Sequence, residues 1–260
     1  MDENAQTRMS HTSPFISSDS PQISVILACY NEVENLQPML DELNAVLDPL
    51  AKSYEVIYVD DGSTDGTGAK MKQLATEHPR VRALFHSRNF GQSAALCSAF
   101  AVARGDYVVV LDSDLQNDPA DIPRMLALLE SEKADAVCGI RKKRMDKWTK
   151  RVSSRIANRV RDWVLKDGIH DAGCAYRVIR REALQQLPAF KALHRFLPSI
   201  LQWHGYKVVE TPVNHRPRTL GVSKYGVGNR AFVGIADLVG MSWYRARHFR
   251  PNRLANVPPQ

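Results

Sequence analysis

Short apolar runs alternate with segments of helical periodicity along the first part of this chain. Nearly continuous apolar runs of this kind are typical of parallel strands that are buried on both faces. Between the first two runs, leucines recur at the three- and four-residue spacing of an amphipathic helix. Five alternations predict an α/β fold with an open, mostly parallel, doubly wound sheet. The predicted strands are 23–28, 54–59, 81–85, 106–111 and 134–140.

Helix-start signals refine this prediction. Asn31 is the expected N-cap of the leucine-rich helix that follows the first strand. Asp118 as N-cap, with Pro119 in the first helical position, predicts a helix after the fourth strand.

After residue 140 the pattern changes, and the remaining elements are predicted from shorter signals. They are strands at 174–180 and 206–213, a helix at 192–203, and an apolar segment at 227–244. Asp237 and several glycines interrupt that segment, which suits a helix lying at a membrane surface and equally a helix covering the core. We expect three parts: a disordered tail over 1–21, a main domain over 22–225, and a membrane-apposed helix and tail over 226–260.

Polar side chains cluster where the predicted strands end. These clusters are Tyr30/Glu32, Asp60/Asp61, Arg88/Asn89 and Asp112/Asp114/Gln116. In open α/β sheets, ligands bind beyond the carboxyl ends of the strands. The agreement between strand pattern and polar chemistry therefore places the functional site at this edge.

Asp112 and Asp114 follow the apolar run of the fourth strand directly. Carboxylates at the end of a buried strand are costly unless a cation or hydrogen-bond donors meet them. Oxygen ligands suit Mg²⁺ or Mn²⁺, which commonly takes further oxygens from a substrate phosphate. The chain contains neither G-x-G-x-x-G nor G-x-x-x-x-G-K-[ST], which disfavours dinucleotide dehydrogenases and P-loop enzymes. We therefore expect a metal that meets a nucleotide diphosphate.

The net charge of +7 is unevenly distributed. Residues 1–150 hold 16 Lys/Arg against 22 Asp/Glu, a net of −6, whereas residues 151–260 hold 19 against 6, a net of +13. An acidic first half beside a basic second half indicates a metal site facing an anion site. Nucleic acid could also explain the basic half, but no nucleic-acid-reading motif accompanies it.

The cysteines, the histidines and the hydropathy of the chain further restrict the class of protein and its expected location. The four cysteines stand singly in apolar surroundings, which favours reduced, buried thiols of a cytosolic protein. The eight histidines form no H-x-H or H-E-x-x-H, so a histidine zinc site is not expected. The polar N-terminal residues do not read as a signal peptide, and no apolar run reaches the ~20 residues that span a bilayer. We expect a soluble or peripheral protein at the cytoplasmic face of a membrane.

Several motifs together resemble one known family. They are Tyr30-Asn31-Glu32, Asp60 to Thr67, Arg88-Asn89-Phe90-Gly91 and Asp112-Ser113-Asp114-Leu115-Gln116. In this order they resemble glycosyltransferase family 2, whose members have the GT-A fold. Gly139-Ile140-Arg141, Ser154 to Asn158 and Arg218-x-x-Gly221-x-Ser223-Lys224 further resemble the polyprenol-phosphate glycosyltransferases of the dolichol-phosphate mannose synthase type.

The resemblance implies a role for each matching residue. The nucleotide sugar would contact Ala28, Tyr30, Glu32, Asp60, Asp61, Ser113 and Arg195, together with Asp112 and Asp114. Asp112, Asp114 and Gln116 would hold Mg²⁺ or Mn²⁺ and the diphosphate, which Arg218 and Lys224 would cover from a loop. Arg141 and Arg155 would bind the acceptor phosphate and, with the two aspartates, make up the catalytic set. Ala28 departs from the family, in which many members carry proline.

The residues leave three functions open. A hydroxyl acceptor needs a general base, and among the six acids after residue 150 only Asp171 lies in a motif-like setting. A phosphate acceptor needs cations instead, and residues 141–161 supply ten Lys/Arg against one acid. We favour transfer of a sugar to a polyprenyl phosphate. The alternatives are a family 2 enzyme acting on a hydroxyl acceptor, as in surface polysaccharide synthesis, and a non-catalytic nucleotide-sugar or lipid-binding protein.

Overall fold

The fold is a seven-stranded sheet covered by helices on both faces. The computed structural model describes residues 20–141, 161–185, 187–218 and 230–248, with only the backbone for 230–233. The strand order is β3-β2-β1-β4-β6-β5-β7. The strands are β1 (Ile23–Cys29), β2 (Tyr54–Asp60), β3 (Val81–Phe85), β4 (Tyr107–Asp112), β5 (Ala136–Arg141), β6 (Arg177–Arg180) and β7 (Val208–Val213).

Six α-helices of at least ten residues lie in the described part of the chain. They are α1 (Leu36–Leu47), α2 (Thr67–Glu77), α3 (Gln92–Val102), α4 (Ile122–Ser131), α5 (Leu193–Trp203) and α6 (Arg230–Arg247). Residues 161–165 are also helical. Most of the predicted tail and residues 142–160 of the basic run 141–161 lie outside the described residues, as does the loop segment 219–229.

Two hydrophobic cores, one on each face of the sheet, hold these layers together. Alternate residues of β1 divide between them: Val25 and Leu27 belong to one core, and Ile26 to the other. The first core packs the sheet against α1, α2 and α4, and the second packs it against α3, α5 and α6. The central strands β1 and β4 are covered on both faces, which explains their nearly continuous apolar sequences.

Strand direction agrees with the predicted GT-A fold class. β3, β2, β1 and β4 form a parallel series, and β5 and β7 are also parallel to each other. β6 is antiparallel to both of its neighbours, β4 and β5. The other six strands therefore share one direction, and their carboxyl ends meet at one edge of the sheet.

One of the two helix-start predictions is wrong. α1 begins at Leu36 rather than after Asn31, and Asn31 has a left-handed φ of 55°. Asn31 is occupied elsewhere: its backbone N–H donates to Ser63 Oγ, and its Oδ1 accepts from the Thr64 N–H at 2.7 Å. It therefore ties the end of β1 to the loop after β2. Asp118 does act as an N-cap, for a short 3-10 turn (Pro119–Asp121) that leads into α4.

Candidate active site

The predicted strand-end residues meet at one edge of the sheet. In the parallel register Ala28 of β1 lies beside Asp112 of β4, and Cys29 of β1 lies beside Asp60 of β2. Three strand ends that are distant in sequence therefore supply one cleft. This arrangement brings the residues expected to bind a nucleotide next to those expected to hold a metal.

Asp112 and Asp114 are held by hydrogen bonds from different elements. Asp112 Oδ1 accepts from Gln92 Nε2 of α3 at 2.9 Å, and the Asp112 N–H donates to Asn117 Oδ1. Asp114 Oδ1 accepts from the Gln116 N–H at 3.2 Å. Leu115, directly after Asp114, has φ 61°, a strained conformation for a non-glycine residue. The turn thus fixes both carboxylates at the end of β4.

The electrostatics of this pair suit a bound cation. Burial and the neighbouring charge of Asp114 raise the pKa of Asp112 to about 6. Two carboxylates in such a position repel each other, and a divalent ion would relieve the repulsion. Within the described residues, no group of three or more His, Cys, Asp or Glu could by itself hold a metal ion. The pair fits Mg²⁺ or Mn²⁺ completed by substrate and water oxygens, as these ions are commonly bound.

Arg218 crosses the cleft in front of this pair. Its Nη2 lies 2.7 Å from Asp114 Oδ2, and its Nη1 lies 3.4 Å from Glu32 Oε1. Gln116, predicted as a metal ligand, has its side-chain Nε2 donating to the backbone O of Arg216 at 3.2 Å. Arg218 therefore lies beside the aspartate pair and contacts protein carboxylates, and its predicted contact with the diphosphate stays a prediction.

Asp60 and Asp61 organise the loops beside the cleft. Asp60 Oδ1 accepts from the Ser63 N–H, and the two oxygens of Asp61 accept from the Phe90 and Gly91 N–H groups at 2.9 and 2.8 Å. His86 Nδ1 also lies 2.8 Å from Asp61 Oδ1. Both aspartates are buried, and a role in nucleotide binding stays a prediction.

Gly62 allows the loop that follows β2 to approach the loop that follows β3 closely. Its φ is +73°, and an added Cβ would lie 2.4 Å from the backbone carbonyl carbon of Arg88. Only glycine accepts both the left-handed conformation and this close approach.

The remaining predicted nucleotide contacts also line the edge. Ala28 accepts a hydrogen bond through its backbone O from Ser113 Oγ at 3.2 Å, so the departure from proline leaves this backbone contact available. The Glu32 N–H donates to Thr67 Oγ1, and its carboxylate accepts from Asn35 Nδ2. Tyr30 is partly exposed beside them. Their contact with a nucleotide stays a prediction.

The guanidinium of Arg141 donates two hydrogen bonds to the carboxylate of Asp171, and we call this paired contact the fork. Arg141 Nε lies 2.8 Å from Asp171 Oδ2, and Nη2 lies 2.7 Å from Oδ1. The Arg141 side chain is 17% exposed and that of Asp171 only 6%. Glu210 accepts from the N–H groups of His170 and Asp171, which fixes the turn that carries Asp171. The one acid suggested as a base is therefore engaged by the arginine predicted to bind phosphate.

Of the three other basic residues predicted to bind the substrates, the structure describes only Arg195. Arg195 lies in the first turn of α5, 43% exposed, with Nη1 3.9 Å from Asp237 of α6. Its neighbour His194 is hydrogen bonded to Ser93 of α3 at 2.8 Å. Burial, followed by the charge of Arg177, lowers the pKa of His194 to about 4. Arg155 and Lys224 lie outside the described residues.

Three side chains of this site were not predicted from the sequence. Gln92 donates to the side chain of Asp112 and Asn117 accepts from its backbone N–H, and each directly follows one of the motifs named for the family resemblance. Arg177 is buried in β6 near Asp112, whose pKa its charge lowers against the effect of burial. An arginine inside an otherwise apolar strand was the available signal, because buried charges are rare.

Solved structures with the same fold define the class. Mannosyltransferase PcManGT from Pyrobaculum calidifontis, solved with GDP-Man and Mn²⁺, superposes with a TM-score of 0.61 at 23% identity, covering 90% of this chain and 66% of that one. Glucosyl-3-phosphoglycerate synthase from Mycobacterium tuberculosis, solved with Mn²⁺, UDP-Glc and phosphoglyceric acid, gives 0.63 at 21% identity, covering 89% and 82%. The protein therefore has the GT-A fold of glycosyltransferases.

Sequence comparison identifies the family. The model of glycosyl transferase family 2 matches residues 24–188, and the chain belongs to this family. The dodecaprenyl-phosphate galacturonate synthase of Rhizobium johnstonii is 33% identical over 239 residues, which cover 90% of this chain and 70% of that protein. The undecaprenyl-phosphate 4-deoxy-4-formamido-L-arabinose transferase of an Enterobacter species is 35% identical, covering 78% of this chain and 62% of that relative. The predicted family is confirmed.

Proposed function

We propose that this chain transfers a sugar from a nucleoside diphosphate, GDP-mannose or a UDP-sugar, to the phosphate of a polyprenyl lipid. The product would be a polyprenyl-phosphate sugar with inverted configuration at the anomeric carbon. The names of the two curated relatives support the acceptor class. The carboxylate pair at the end of β4 supports the donor class.

The donor would lie along the ends of β1, β2 and β4. Tyr30, Glu32 and Asp61 border the space for the base and ribose, and Asp112 and Asp114 border the space for the diphosphate. A divalent ion held by the two aspartates would neutralise the charge that develops on the leaving diphosphate. Fold relatives solved with Mn²⁺ support this use of a metal. Arg218 would move from Asp114 to the diphosphate oxygens.

The observation that carries the proposal is the fork between Arg141 and Asp171. A general base must have a free oxygen within reach of the acceptor proton. Both oxygens of Asp171 instead accept charge-assisted hydrogen bonds, and Asp171 fixes the plane of the Arg141 guanidinium. Asp171 takes the Nε–Nη2 edge of Arg141, so a phosphate would meet the other edge, where Nη1 and Nη2 can donate to two phosphate oxygens.

A phosphate acceptor also makes the chemistry simple. One oxygen of the phosphate forms the new bond to the anomeric carbon, while the bond from that carbon to the diphosphate oxygen breaks. The bonding electrons leave with the diphosphate. The second pKa of a phosphate monoester is about 6, so the nucleophile is already ionised at neutral pH and needs no base.

The test is transfer of radiolabelled sugar to undecaprenyl phosphate in detergent with Mg²⁺ or Mn²⁺, using a panel of GDP- and UDP-sugars. We expect label in the organic phase with at least one donor, and none after EDTA. Label incorporated only into a hydroxyl-bearing lipid or glycan would establish the hydroxyl acceptor. Absence of product with every donor would refute the proposal.

The acceptor requires contact with a membrane, and we place the chain peripherally at the cytoplasmic face. Ile235, Val239 and Trp243 are exposed and lie four residues apart, so they form one stripe on α6. Met241, on the opposite side of this helix, is buried in the second core, and Tyr244 lies against Trp203 of α5. Arg245 and Arg247 in the last turn add positive charge that would favour anionic lipids. No described helix is long and apolar enough to cross a membrane.

Liposome sedimentation tests this placement. We expect binding to anionic vesicles at low salt, and loss of binding when Ile235, Val239 and Trp243 are all replaced by serine. Phe85→Ser is the matched control, because Phe85 is also exposed but lies on the edge strand β3. Equal binding of the triple variant and the control would contradict the assignment of α6.

A further inference from the structure

Arg177 is a fully buried arginine in the sheet. It lies in β6, with Val110 of β4 on one side and Cys138 of β5 on the other. Its relative exposure is 1%, and it is the largest of the fully buried side chains. Its Nε and Nη1 have no hydrogen-bond partner.

Other buried arginines in the described residues are paired with acids. Arg161 Nη1 lies 2.8 Å from Asp167, and Arg141 is held by Asp171. Arg177 forms no ion pair within the described part of the chain. An unpaired charge in a protein interior is strongly unfavourable, and an apolar side chain of similar volume is often more stabilising there. Packing alone therefore gives no reason for a cation at this position.

The position of Arg177 relative to the active site supplies a reason. Side chains alternate between the faces of a strand, so Val110 and Asp112 project to the same face of β4. Arg177 pairs with Val110 and therefore shares that face with Asp112, one strand away. The charge of Arg177 acts on Asp112, lowering its pKa, and on His194 of α5, which covers the same face.

We propose that Arg177 is a positioning residue that attracts a phosphate group into the active site by its permanent charge. This inference rests on the proposed function, in which a diphosphate and a phosphate monoester meet beside Asp112. A carboxylate pair alone would repel both anions. Arg177 lies on the same face of the sheet as Asp112 and offsets part of that negative potential, and within the described residues its guanidinium forms no ion pair with a carboxylate.

The same geometry predicts opposite effects on phosphate binding and on metal binding. Unit charges about 8–12 Å apart alter a binding constant roughly ten- to thirtyfold at an effective dielectric of about 20. Removing the charge should weaken phosphate binding by about that factor. It should also tighten binding of Mn²⁺, because a cation near Asp112 opposes a metal ion.

The experiment compares Arg177→Met, Arg177→Lys and Arg180→Met in the full chain. Methionine removes the charge with little loss of volume, lysine keeps the charge, and Arg180 lies on the same strand but pairs with Glu130. Three quantities are measured: binding of Mn²⁺ alone, binding of UDP and GDP with Mg²⁺, and binding of a short-chain isoprenyl phosphate. The melting temperature is recorded for each variant.

We expect Arg177→Met to bind Mn²⁺ more tightly and phosphate more weakly, with an equal or higher melting temperature. Arg177→Lys should restore phosphate binding to within a few fold, and Arg180→Met should leave all three constants unchanged. Loss confined to the nucleotides assigns the donor diphosphate, and loss confined to the isoprenyl phosphate assigns the acceptor. Unchanged phosphate binding, or parallel loss of metal, phosphate and melting temperature, would overturn the inference. Failure of the proposed function differs, because the wild-type chain would then form no lipid-linked sugar.

Discussion

Replacing Asp171 by asparagine distinguishes orientation of Arg141 from general base catalysis. Asparagine keeps the shape of aspartate and one acceptor oxygen, but its amide nitrogen cannot accept the second bond of the fork. The lost bond joins a guanidinium and a carboxylate separated by 2.7–2.8 Å, in a pair that is mostly buried. Hydrogen bonds to charged groups contribute about 1.5–3 kcal/mol.

If that energy is used to orient Arg141, the KM for the polyprenyl phosphate rises about ten- to a hundredfold, since each 1.4 kcal/mol is about a factor of ten. The kcat at saturating acceptor and its pH profile should change little. Steady-state kinetics with a titration of acceptor measures both, and the melting temperature controls for loss of the fold. A fall in kcat of about a hundredfold or more, with unchanged KM, would instead identify Asp171 as a base.

Three further predictions concern the donor side and stability. Asp114→Ala should lower turnover at least about a hundredfold and abolish the Mn²⁺-induced thermal shift, and full turnover in this variant would contradict the role of Asp114 in holding the metal. Arg218→Ala should raise the donor KM about tenfold and tighten Mn²⁺ binding, because Arg218 competes for Asp114; weaker Mn²⁺ binding would contradict this. The contribution of His194 to the unfolding free energy should fall as pH decreases from 6.5 towards 4, because its pKa is near 4 in the fold and the unfolded histidine takes up its proton first. The raised pKa of Asp112 acts in the opposite direction over this range, so the test is the difference between the wild-type chain and His194→Gln in urea titrations. This difference should shrink as pH falls, and a constant difference would contradict the role of His194.

The sequence was most informative where local pattern and chemistry coincide. The strands ending at Cys29, Asp60 and Asp112 are buried on both faces, so their apolar runs could be recognised without knowing their neighbours. Parallel strands then bring their ends together, which is why the cleft could be predicted. Asn31 was misassigned because asparagine both caps helices and adopts left-handed turns, and the loop after β2 decides between them.

Non-local pairing accounts for what the sequence did not reveal. The position of β6 between β4 and β5 depends on contacts between residues far apart in the chain. Without that order, Arg177 could not be placed beside Asp112, nor Asp171 beside Arg141. Gln92 could not be recognised as a partner of Asp112, because its hydrogen bond to Asp112 also depends on the packing of α3 against the sheet.

The reversed direction of β6 has a consequence for how such a protein can diversify. A strand that runs against its neighbours presents its amino end at the edge where they present their carboxyl ends. The segment that precedes β6, including Asp171, therefore lies at the same edge as the carboxyl ends of β4 and β5, where it meets Arg141. The proposed donor site lies on β1, β2 and β4, whereas the proposed acceptor contact is formed by Arg141 at the end of β5 and Asp171 before β6. Substitutions at this acceptor contact could alter the acceptor while the register of the donor strands stays intact.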